Sequence, residues 1–363
     1  MTIVAFCYSD QRSASVRYRV IYPLEQLHQQ KGIQSIQVFP GYSFRRICIM
    51  LKACWFLAFQ ANQKDVVLIH KVYSKRLYAR ILHWIISQTP AHLIYDIDDA
   101  EWERNSPQMM HRLMSKVHTI HVGSHTLKEM LEAKYKSVLL LTSCVNAPKL
   151  KRKEFAQTLH LGWIGGYNSS PIPAAFSHKN AILQLVLPAL QMIKIPMQLT
   201  LLGVERSADR SELDEHIQRF LPHVQLFLPE GIDWNDEAAI DAHIEQWDLG
   251  IAIMVDHPFN HAKSAFKAKQ YMNCGTPALG NRVGENVVFI QHRSTGFIAS
   301  SSADIAAEIS YYNNLTPDEK KQMRSTCLLH AKNFRMNTYT NALESSISAL
   351  HLQPAAPHVA IDS

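Results

Sequence analysis

The chain has 363 residues, of which 47% are hydrophobic and 19% charged, with a formal net charge of +6. This composition excludes a disordered chain, and the length suffices for two domains of ordinary size. The charge is uneven, because residues 1–155 hold 22 Lys and Arg against 11 Asp and Glu, while the remainder holds 15 against 20. A basic first half indicates an anionic partner such as a membrane surface or a phosphorylated carrier. Nucleic acid is not expected as a partner, because no recognised binding motif is present.

The six cysteines are scattered through the chain and form neither a CxxC pair nor a metal-ligand spacing. This pattern is typical of a reducing compartment. The N-terminal stretch lacks the pattern of a signal peptide, and no uncharged apolar run reaches transmembrane length. We therefore expect a cytoplasmic protein, with peripheral contact to the inner face of a membrane as a further possibility.

The first half alternates short apolar runs with helical patterns. Strands are predicted at residues 2–8, 33–39, 66–72, 92–96, 117–122 and 137–141. The helix after the first strand carries Arg17 and Arg19. Two interpretations of these arginines remain open: they bind a phosphate, with Arg17 as the candidate ligand, or they are solvated charges of the helix.

Residues 43–61 form the most membrane-like segment of the chain. Arg45, Arg46 and Lys52 interrupt an apolar run that contains Trp55 and Phe59. Such a helix can lie in a bilayer interface, with aromatic side chains buried and cations at the headgroups. The alternative is an ordinary amphipathic helix packed on the core.

A cluster of acidic residues, which includes Asp98 and Asp99, follows the predicted strand 92–96. One interpretation takes Asp96-Ile97-Asp98 as a metal-binding DxD motif, whose carboxylates hold Mg²⁺ or Mn²⁺ against a diphosphate. Another is a solvated loop that caps a helix. A third depends on the family resemblance described below.

The second half begins again with a strand. Strands are predicted at residues 158–164, 197–203, 223–228 and 277–280. Gly165 and Gly166 follow the first of these and can bring backbone amides close to a ligand phosphate. The alternation of strands and helices in both halves indicates an α/β fold with parallel sheets.

The stretch Lys263–Asn286 contains the most specific pattern of the chain. Its apolar residues recur at helical spacing up to Gly275-Thr276-Pro277, where Gly caps and Pro ends the helix. A short strand and then a turn at residues 282–286 follow. Turns of this kind lie at the carboxyl ends of strands, where ligands bind in open α/β sheets.

The pattern Lys267-x-x-Gln270-Tyr271-Met272-x-x-Gly275-x-Pro277, followed by Gly284-x-Asn286, resembles the donor-site segment of glycosyltransferase family 4. The segments 247–253 and 295–298 are similar to the strands that flank this motif in the family. The resemblance implies a GT-B fold, in which two doubly wound Rossmann-like domains face a central cleft. It also implies a retaining, nucleotide-sugar-dependent transferase that uses neither a metal nor another cofactor.

The resemblance assigns roles to individual residues. Lys267 would neutralise charge on the leaving diphosphate, Gln270 would bind the ribose, and Asp98 or Asp99 would line the cleft and orient hydroxyl groups. Further donor contacts would come from Lys263, Gly165, Gly166, Gly284, Glu285 and Asn286.

The expected domains are an acceptor domain at 1–150 and a nucleotide-sugar donor domain at 156–335. Residues 147–155 would link them, a helix at about 336–352 would pack back on the first domain, and residues 353–363 would be a disordered tail. The acceptor would be a saccharide or a lipid-linked molecule of cell-surface polysaccharide or glycoconjugate biosynthesis.

The sequence departs from the family pattern at two acidic positions, which are Gln270 and Ala262 in this chain. A non-catalytic nucleotide- or glycan-binding protein on the same scaffold is therefore an alternative. A sugar-nucleotide epimerase or hydrolase of this fold is a second one.

Overall fold

The structure is a computed structural model that describes residues 1–72, 76–104, 106, 108–148, 158–167 and 174–352. The predicted linker, from residue 149 onward, and the predicted tail at 353–363 lie outside these residues. The described chain forms two compact units. One consists of Met1–Cys144 and the segment that begins at Met336, and the other is Val145–Arg335.

The first unit is built on a six-stranded parallel sheet with the order β2-β1-β3-β4-β5-β6. Apolar runs such as Val66–His70 are buried along their whole length, as expected for a parallel sheet covered on both faces. The strands are β1 Thr2–Cys7, β2 Gln34–Val38, β3 Val66–His70, β4 His92–Ile97, β5 Thr119–Val122 and β6 Val138–Leu140.

Helices connect and cover these strands. Serine hydroxyls cap two of them, since Ser43 accepts from the Arg46 amide and Ser124 from the Leu127 amide. The helical segments are Ala14–Val16, Arg17–Ile21 (a π-helical turn), Tyr22–Lys31, Phe44–Phe59, Arg76–Ile86, Glu101–Glu103, Gln108–Met114, His125–Glu132 and Met336–His351.

The last of these helices, Met336–His351, belongs to the first unit although it ends the described chain. Tyr339 donates a hydrogen bond to the Arg19 carbonyl (3.3 Å), and Thr340 donates to the Gln26 side chain (3.1 Å). The buried positions of this helix therefore complete the packing of the first helix of the chain.

The second unit has its own six-stranded parallel sheet with the order β12-β11-β10-β7-β8-β9. Counted within the unit, this is the order 3-2-1-4-5-6 of a Rossmann domain. The strands are β7 Leu159–Ile164, β8 Met197–Leu202, β9 Val224–Phe227, β10 Leu249–Ala252, β11 Ala278–Gly280 and β12 Gly296–Ile298.

Two buried tryptophans, Trp163 and Trp247, lie in the core of this unit. Gly162 makes room for one of them, because a Cβ atom there would lie 1.8 Å from the Trp247 ring. The helical segments are Ala174–Phe176, His178–Ala181, Ile182–Val186 (a π-helical turn), Leu187–Gln191, Ser207–Phe220, Glu237–Glu245, Pro258–His261, Phe266–Asn273, Asn286–Phe289, Ser302–Asn313, Pro317–Ala331 and Lys332–Phe334.

The α/β fold class predicted from the sequence is confirmed, and all twelve predicted strand segments contain a strand. Some helices differ from expectation. The helix Ser207–Phe220 and the helical turn Pro258–His261 were not predicted from the sequence. Among the helices of the described ranges, none combines the length and the apolar character that crossing a bilayer requires.

Candidate functional site

Eight of the eleven predicted site residues lie in the second unit, close to one edge of its sheet. Strands β11, β10 and β7 are neighbours and run parallel, so that their carboxyl ends meet at this edge. Gly165 and Gly166 directly follow β7, and the turn 282–286 follows β11. Ligands bind at this edge in open α/β sheets, next to the point where the strand order reverses, which here lies between β7 and β10.

Lys267 and Gly165 are brought together at this edge. Lys267 lies in the first turn of the helix Phe266–Asn273, and a Cβ atom at Gly165 would approach its Cε to 3.0 Å. Gly165 also has a φ of +146°. Both its conformation and the lysine stem therefore favour glycine here. Gly166 follows and is exposed.

His178 was not predicted as a site residue, but it contacts Lys267. The Lys267 ammonium donates to His178 Nε2 (2.9 Å) and lies 5.8 Å from the Trp163 ring centroid. The imidazole also packs edge-on against Trp163. These contacts hold the Lys267 side chain beside the β7 loop.

A second contact joins Lys263 to the turn after β11. The Glu285 amide donates to the Lys263 carbonyl (3.0 Å). Gly284 has a φ of +62°, and a Cβ atom there would lie 2.8 Å from the Asn260 carbonyl oxygen and 2.9 Å from that of Lys263. Only glycine fits this close backbone approach. The Lys263 ammonium lies 4.4 Å from the Phe259 ring centroid.

Gln270 and Asn286 have different surroundings. Gln270 lies three residues after Lys267 on the same helix face and is 8% exposed. The Asn286 side chain donates to the Ala252 carbonyl (3.0 Å) and so anchors the turn to the end of β10. Its observed contact is structural, and its predicted role in donor binding remains a prediction.

The backbone at the start of the helix Phe266–Asn273 is strained. Ala265, the residue before the helix, has a φ of +55°, which is uncommon for a residue with a side chain. Such strain is concentrated at functional sites.

Ala262, one of the two positions without the family's acid, is fully buried.

A cavity of about 400 Å³ adjoins this edge. Gly203, at the end of β8, packs so closely that a Cβ atom there would lie 2.0 Å from the Gly165 carbonyl oxygen. The cavity was not predicted from the sequence. It is lined by Gly203, Val204, Glu205, Arg210, Pro229, Glu230, Gly231, Ile232 and Trp234.

In the first unit, Asp98 and Asp99 share one buried lysine. The Lys71 Nζ atom lies 2.8 Å from Asp98 Oδ1, 2.6 Å from Asp99 Oδ2 and 3.0 Å from Glu101 Oε1. Burial would lower the pKa of Lys71, but the three carboxylates and Tyr8 outweigh burial and raise it well above its ordinary value. The lysine therefore stays charged. The interpretation of this cluster as a solvated loop is wrong.

Lys71 also has a left-handed backbone, with a φ of +53°. This conformation directly follows β3 and places the lysine next to the end of β4, where the acidic cluster begins. Sequence analysis missed Lys71, since a lone lysine after a strand carries no pattern of its own.

Asp96 forms a separate buried network. Its two oxygens accept from Arg19 (2.9 and 2.5 Å), and one of them also lies 2.7 Å from His70 Nδ1. Burial would raise the pKa of Asp96, but Arg19 and His70 outweigh it and hold the pKa below its ordinary value. Both oxygens are thus engaged by cationic or N–H donors, which disfavours Asp96 as a metal ligand.

Among the described residues, no group of three or more His, Cys, Asp or Glu side chains is arranged to hold a metal ion.

Arg17 is buried, so the interpretation of a solvated helix charge is wrong for it and for Arg19. One Arg17 nitrogen donates to the carbonyls of Gln11 (2.8 Å) and Arg12 (3.0 Å). The guanidinium therefore holds the loop after β1. Its predicted contact with a phosphate remains a prediction.

Acidification is expected to destabilise the first unit through His121. This side chain is fully buried beside Ser346, and burial lowers its pKa to about 4 although Asp96 opposes the shift. An unfolded histidine takes up its proton near pH 6.5. The unfolded state therefore binds more protons between pH 6.5 and 4, and the free energy of unfolding falls by about 3 kcal/mol as the pH drops through this window.

Urea unfolding of the wild type and of His121→Asn, measured from pH 7 to pH 4, tests this expectation. Asp96 makes stability depend on pH mainly below this window. An unfolded aspartate titrates near pH 3.9, and the pKa of Asp96 in the folded protein is lower still. The variant should lose the share of about 3 kcal/mol that His121 contributes. The histidines of this unit whose pKa is also lowered by burial keep their own contribution, and they are His83, His92, His111 and His118. An equal pH dependence in both proteins would contradict the assignment to His121.

Neither a protein-family model nor a curated relative matches the sequence. Solved structures do match its fold over nearly the whole chain. A glycosyltransferase from Rickettsia africae ESF-5 has a TM-score of 0.68 at 13% identity, covering 97% of this chain and 99% of that one. Sucrose-phosphate synthase from Thermosynechococcus elongatus has a TM-score of 0.68 at 12% identity, covering 96% and 99%.

A third similar structure is HepE from Anabaena in complex with UDP-glucose. Its TM-score is 0.66 at 11% identity, covering 96% of this chain and 99% of that chain. At such identities the likeness establishes architecture. Together with the two parallel six-stranded sheets, it shows that this chain has the GT-B fold.

Proposed function

We propose that this chain is a retaining glycosyltransferase of the family 4 type, which transfers a sugar from a nucleotide diphosphate sugar to a saccharide or lipid-linked acceptor. The observation that carries the proposal is the pairing of Lys267 with Gly165 and of Lys263 with the Gly284–Glu285 turn, at the carboxyl edge of a Rossmann-ordered sheet. A UDP-sugar is the first donor to test, because HepE was solved with UDP-glucose.

The second unit would bind the donor through its diphosphate. Two lysines supply positive charge, and the glycines let backbone amides approach the phosphate oxygens. Gln270 would hydrogen-bond the ribose. The neighbouring cavity would take the base, since Trp234 in its lining offers an aromatic face and Glu205 and Glu230 offer acceptors.

In the reaction, the bond between the sugar's anomeric carbon and the diphosphate oxygen breaks, and its electron pair stays on the diphosphate. The acceptor hydroxyl oxygen forms the new bond on the same face of the sugar, and its proton passes to the leaving diphosphate. Lys267 would stabilise the charge that grows on the leaving group. No protein nucleophile is needed in this scheme.

The first unit would orient the acceptor through Asp98 and Asp99. Asp99 keeps 20% of its side chain exposed while it is bound to Lys71, so that an acceptor hydroxyl can reach it. Lys71 would fix the direction of both carboxylates. The expected setting is cell-surface polysaccharide or glycoconjugate biosynthesis.

The non-catalytic alternative rests on a specific observation. Ala262 is buried and Gln270 is neutral, so neither supplies the acidic group of the family pattern. A protein of this kind would bind a sugar nucleotide without turning it over.

A thermal-shift screen against UDP-, GDP-, ADP- and dTDP-sugars, followed by turnover assays in excess EDTA, tests the proposal. A bound donor at one hundred times its Kd should add about 2.7 kcal/mol to the free energy of unfolding. Turnover is expected to need an acceptor and to survive EDTA.

The other outcomes are distinguishable. Binding without turnover on a panel of acceptors favours the non-catalytic protein, and product without an acceptor favours an epimerase or hydrolase. Loss of activity in EDTA that Mn²⁺ or Mg²⁺ restores would contradict the metal-independent scheme. Absence of binding to every sugar nucleotide would refute the donor site.

A further inference from the structure

The helix Phe44–Phe59 turns most of its large apolar side chains towards solvent. Only Ala53 and Leu57 are fully buried. The exposed side chains are spaced three or four residues apart and therefore share one side of the helix. They range from 43% exposed for Ile47 to 84% for Phe44, and they are Phe44, Ile47, Leu51, Trp55 and Phe59. The interpretation of this segment as a core-packed helix is wrong for these residues.

The neighbouring helix Arg76–Ile86 contacts the first one and has the same character. Ala79, Leu82 and Ile85 are buried, whereas Leu77 is 64% and Trp84 is 60% exposed. The exposed apolar side chains of both helices are called the two-helix face below. Sequence analysis did not assign Leu77 and Trp84 to this surface, because the packing of the two helices is a tertiary contact.

The charge of the two helices is of one sign. Residues 42–61 and 76–88 contain five Lys and Arg and no Asp or Glu. Arg45, Lys52 and Arg80 are exposed, while Arg46 pairs with Asp10. Cations therefore accompany the two-helix face without nearby acids of the same helices to neutralise them.

This combination fits the interface of a bilayer. Aromatic and aliphatic side chains can enter the boundary between headgroups and acyl chains, while lysine and arginine reach the headgroup phosphates. An isologous contact with a second copy of the chain fits less well, because the two-fold axis would bring the same cations of both copies together.

We propose that the two-helix face docks this protein on a membrane surface that carries anionic lipids. The apolar side chains supply the insertion, and Arg45, Lys52 and Arg80 supply the attraction to the headgroups. Each exposed cation near such a surface strengthens the binding, and salt weakens its contribution. This docking does not depend on sugar transfer, so that its test and that of the proposed function can fail separately.

Flotation of the full chain with vesicles tests the proposal. The vesicles are phosphatidylcholine with or without phosphatidylglycerol, at low and high salt. The wild type should float with the anionic vesicles, and less so as salt rises, because salt screens the attraction. Replacing both Trp55 and Phe59 with serine should lower the affinity at least about tenfold.

Controls separate docking from folding and from general stickiness. Leu329→Ser removes an equally exposed apolar side chain from the second unit and should leave binding unchanged. Thermal unfolding should be the same for all variants, because the replaced side chains are exposed. Arg45→Gln with Lys52→Gln removes two of the three cations and should weaken the preference for anionic vesicles, while Arg80 keeps the remainder.

Three results would overturn the proposal. They are no binding at low salt, equal binding to neutral and anionic vesicles, and unchanged binding of the Trp55 and Phe59 double variant. Light scattering measures whether the two-helix face instead holds two copies of the chain together. A wild-type dimer that the double variant converts to a monomer, with no vesicle binding by either protein, would assign the face to self-association instead.

Discussion

Replacing Lys267 with alanine is expected to lower kcat by about 10²–10³-fold, by analogy with the loss of one oxyanion donor. The lysine would face a charge that grows as the glycosidic bond breaks, so its interaction is stronger in the transition state than in the bound substrate. The variant should fold, because Lys267 is only half-buried and its neighbours His178 and Trp163 remain packed on each other.

Gln270 provides the contrast on the same helix. It is assigned to a ribose hydroxyl that does not change during the reaction. Gln270→Ala should therefore raise the donor KM and leave kcat nearly unchanged. The rise in KM should correspond to a loss of about 0.5–1.5 kcal/mol in donor binding free energy. Gln270→Glu should be tolerated, because a carboxylate accepts from the same hydroxyls.

Steady-state kinetics with the donor varied at saturating acceptor measures both effects. Lys194→Ala serves as the matched control, because it removes an exposed lysine of the same unit. The assignment of the donor helix fails if Lys267→Ala keeps the wild-type kcat in a folded protein. It also fails if Gln270→Ala leaves donor affinity intact.

The second large effect is expected from Lys71→Met, which should lower the stability of the first unit by about 3–5 kcal/mol. Methionine has a similar volume but no charge, and it would leave Asp98, Asp99 and Glu101 in mutual repulsion. Glu101 is nearly inaccessible to water, so its charge cannot be screened by solvent.

Denaturant unfolding followed by far-ultraviolet circular dichroism measures this loss. The two units need not unfold together, so the transition that shifts must be assigned to the first unit. Lys179→Met is the control, since Lys179 also pairs with two carboxylates, Asp209 and Glu212, but lies nearer the surface. That change should cost at most about 1 kcal/mol.

A rescue makes the test specific. Adding Asp99→Asn to Lys71→Met removes one of the three carboxylate charges that face Lys71 and should restore part of the lost stability. A loss below that of the Lys179 control, or a double variant less stable than Lys71→Met, would show that the carboxylates do not depend on this lysine.

The sequence by itself determined the fold class and the approximate positions of the strands along the chain. Strands such as Thr2–Cys7 and Val66–His70 are continuous apolar runs, and the residues between them have helical spacing. These signals are local, because they reflect the period of each element and the residues that end it. The resemblance to glycosyltransferase family 4 assigned Gly165, Lys267 and Gly284 to one donor site. The structure brings Gly165 and Lys267 together and places the Gly284 turn after the neighbouring strand β11, while the donor role itself stays a prediction.

Only the tertiary structure decided which side chains meet. Lys71 and Asp99 are 28 positions apart, and His178 and Lys267 are 89 apart, so no local pattern links the partners. The exposure of Trp55 and Phe59 was equally undetermined, since an apolar helix face can cover a core or face solvent. Each of these outcomes depends on the order of strands in a sheet and on which helix packs over which strand, and those are set by non-local packing.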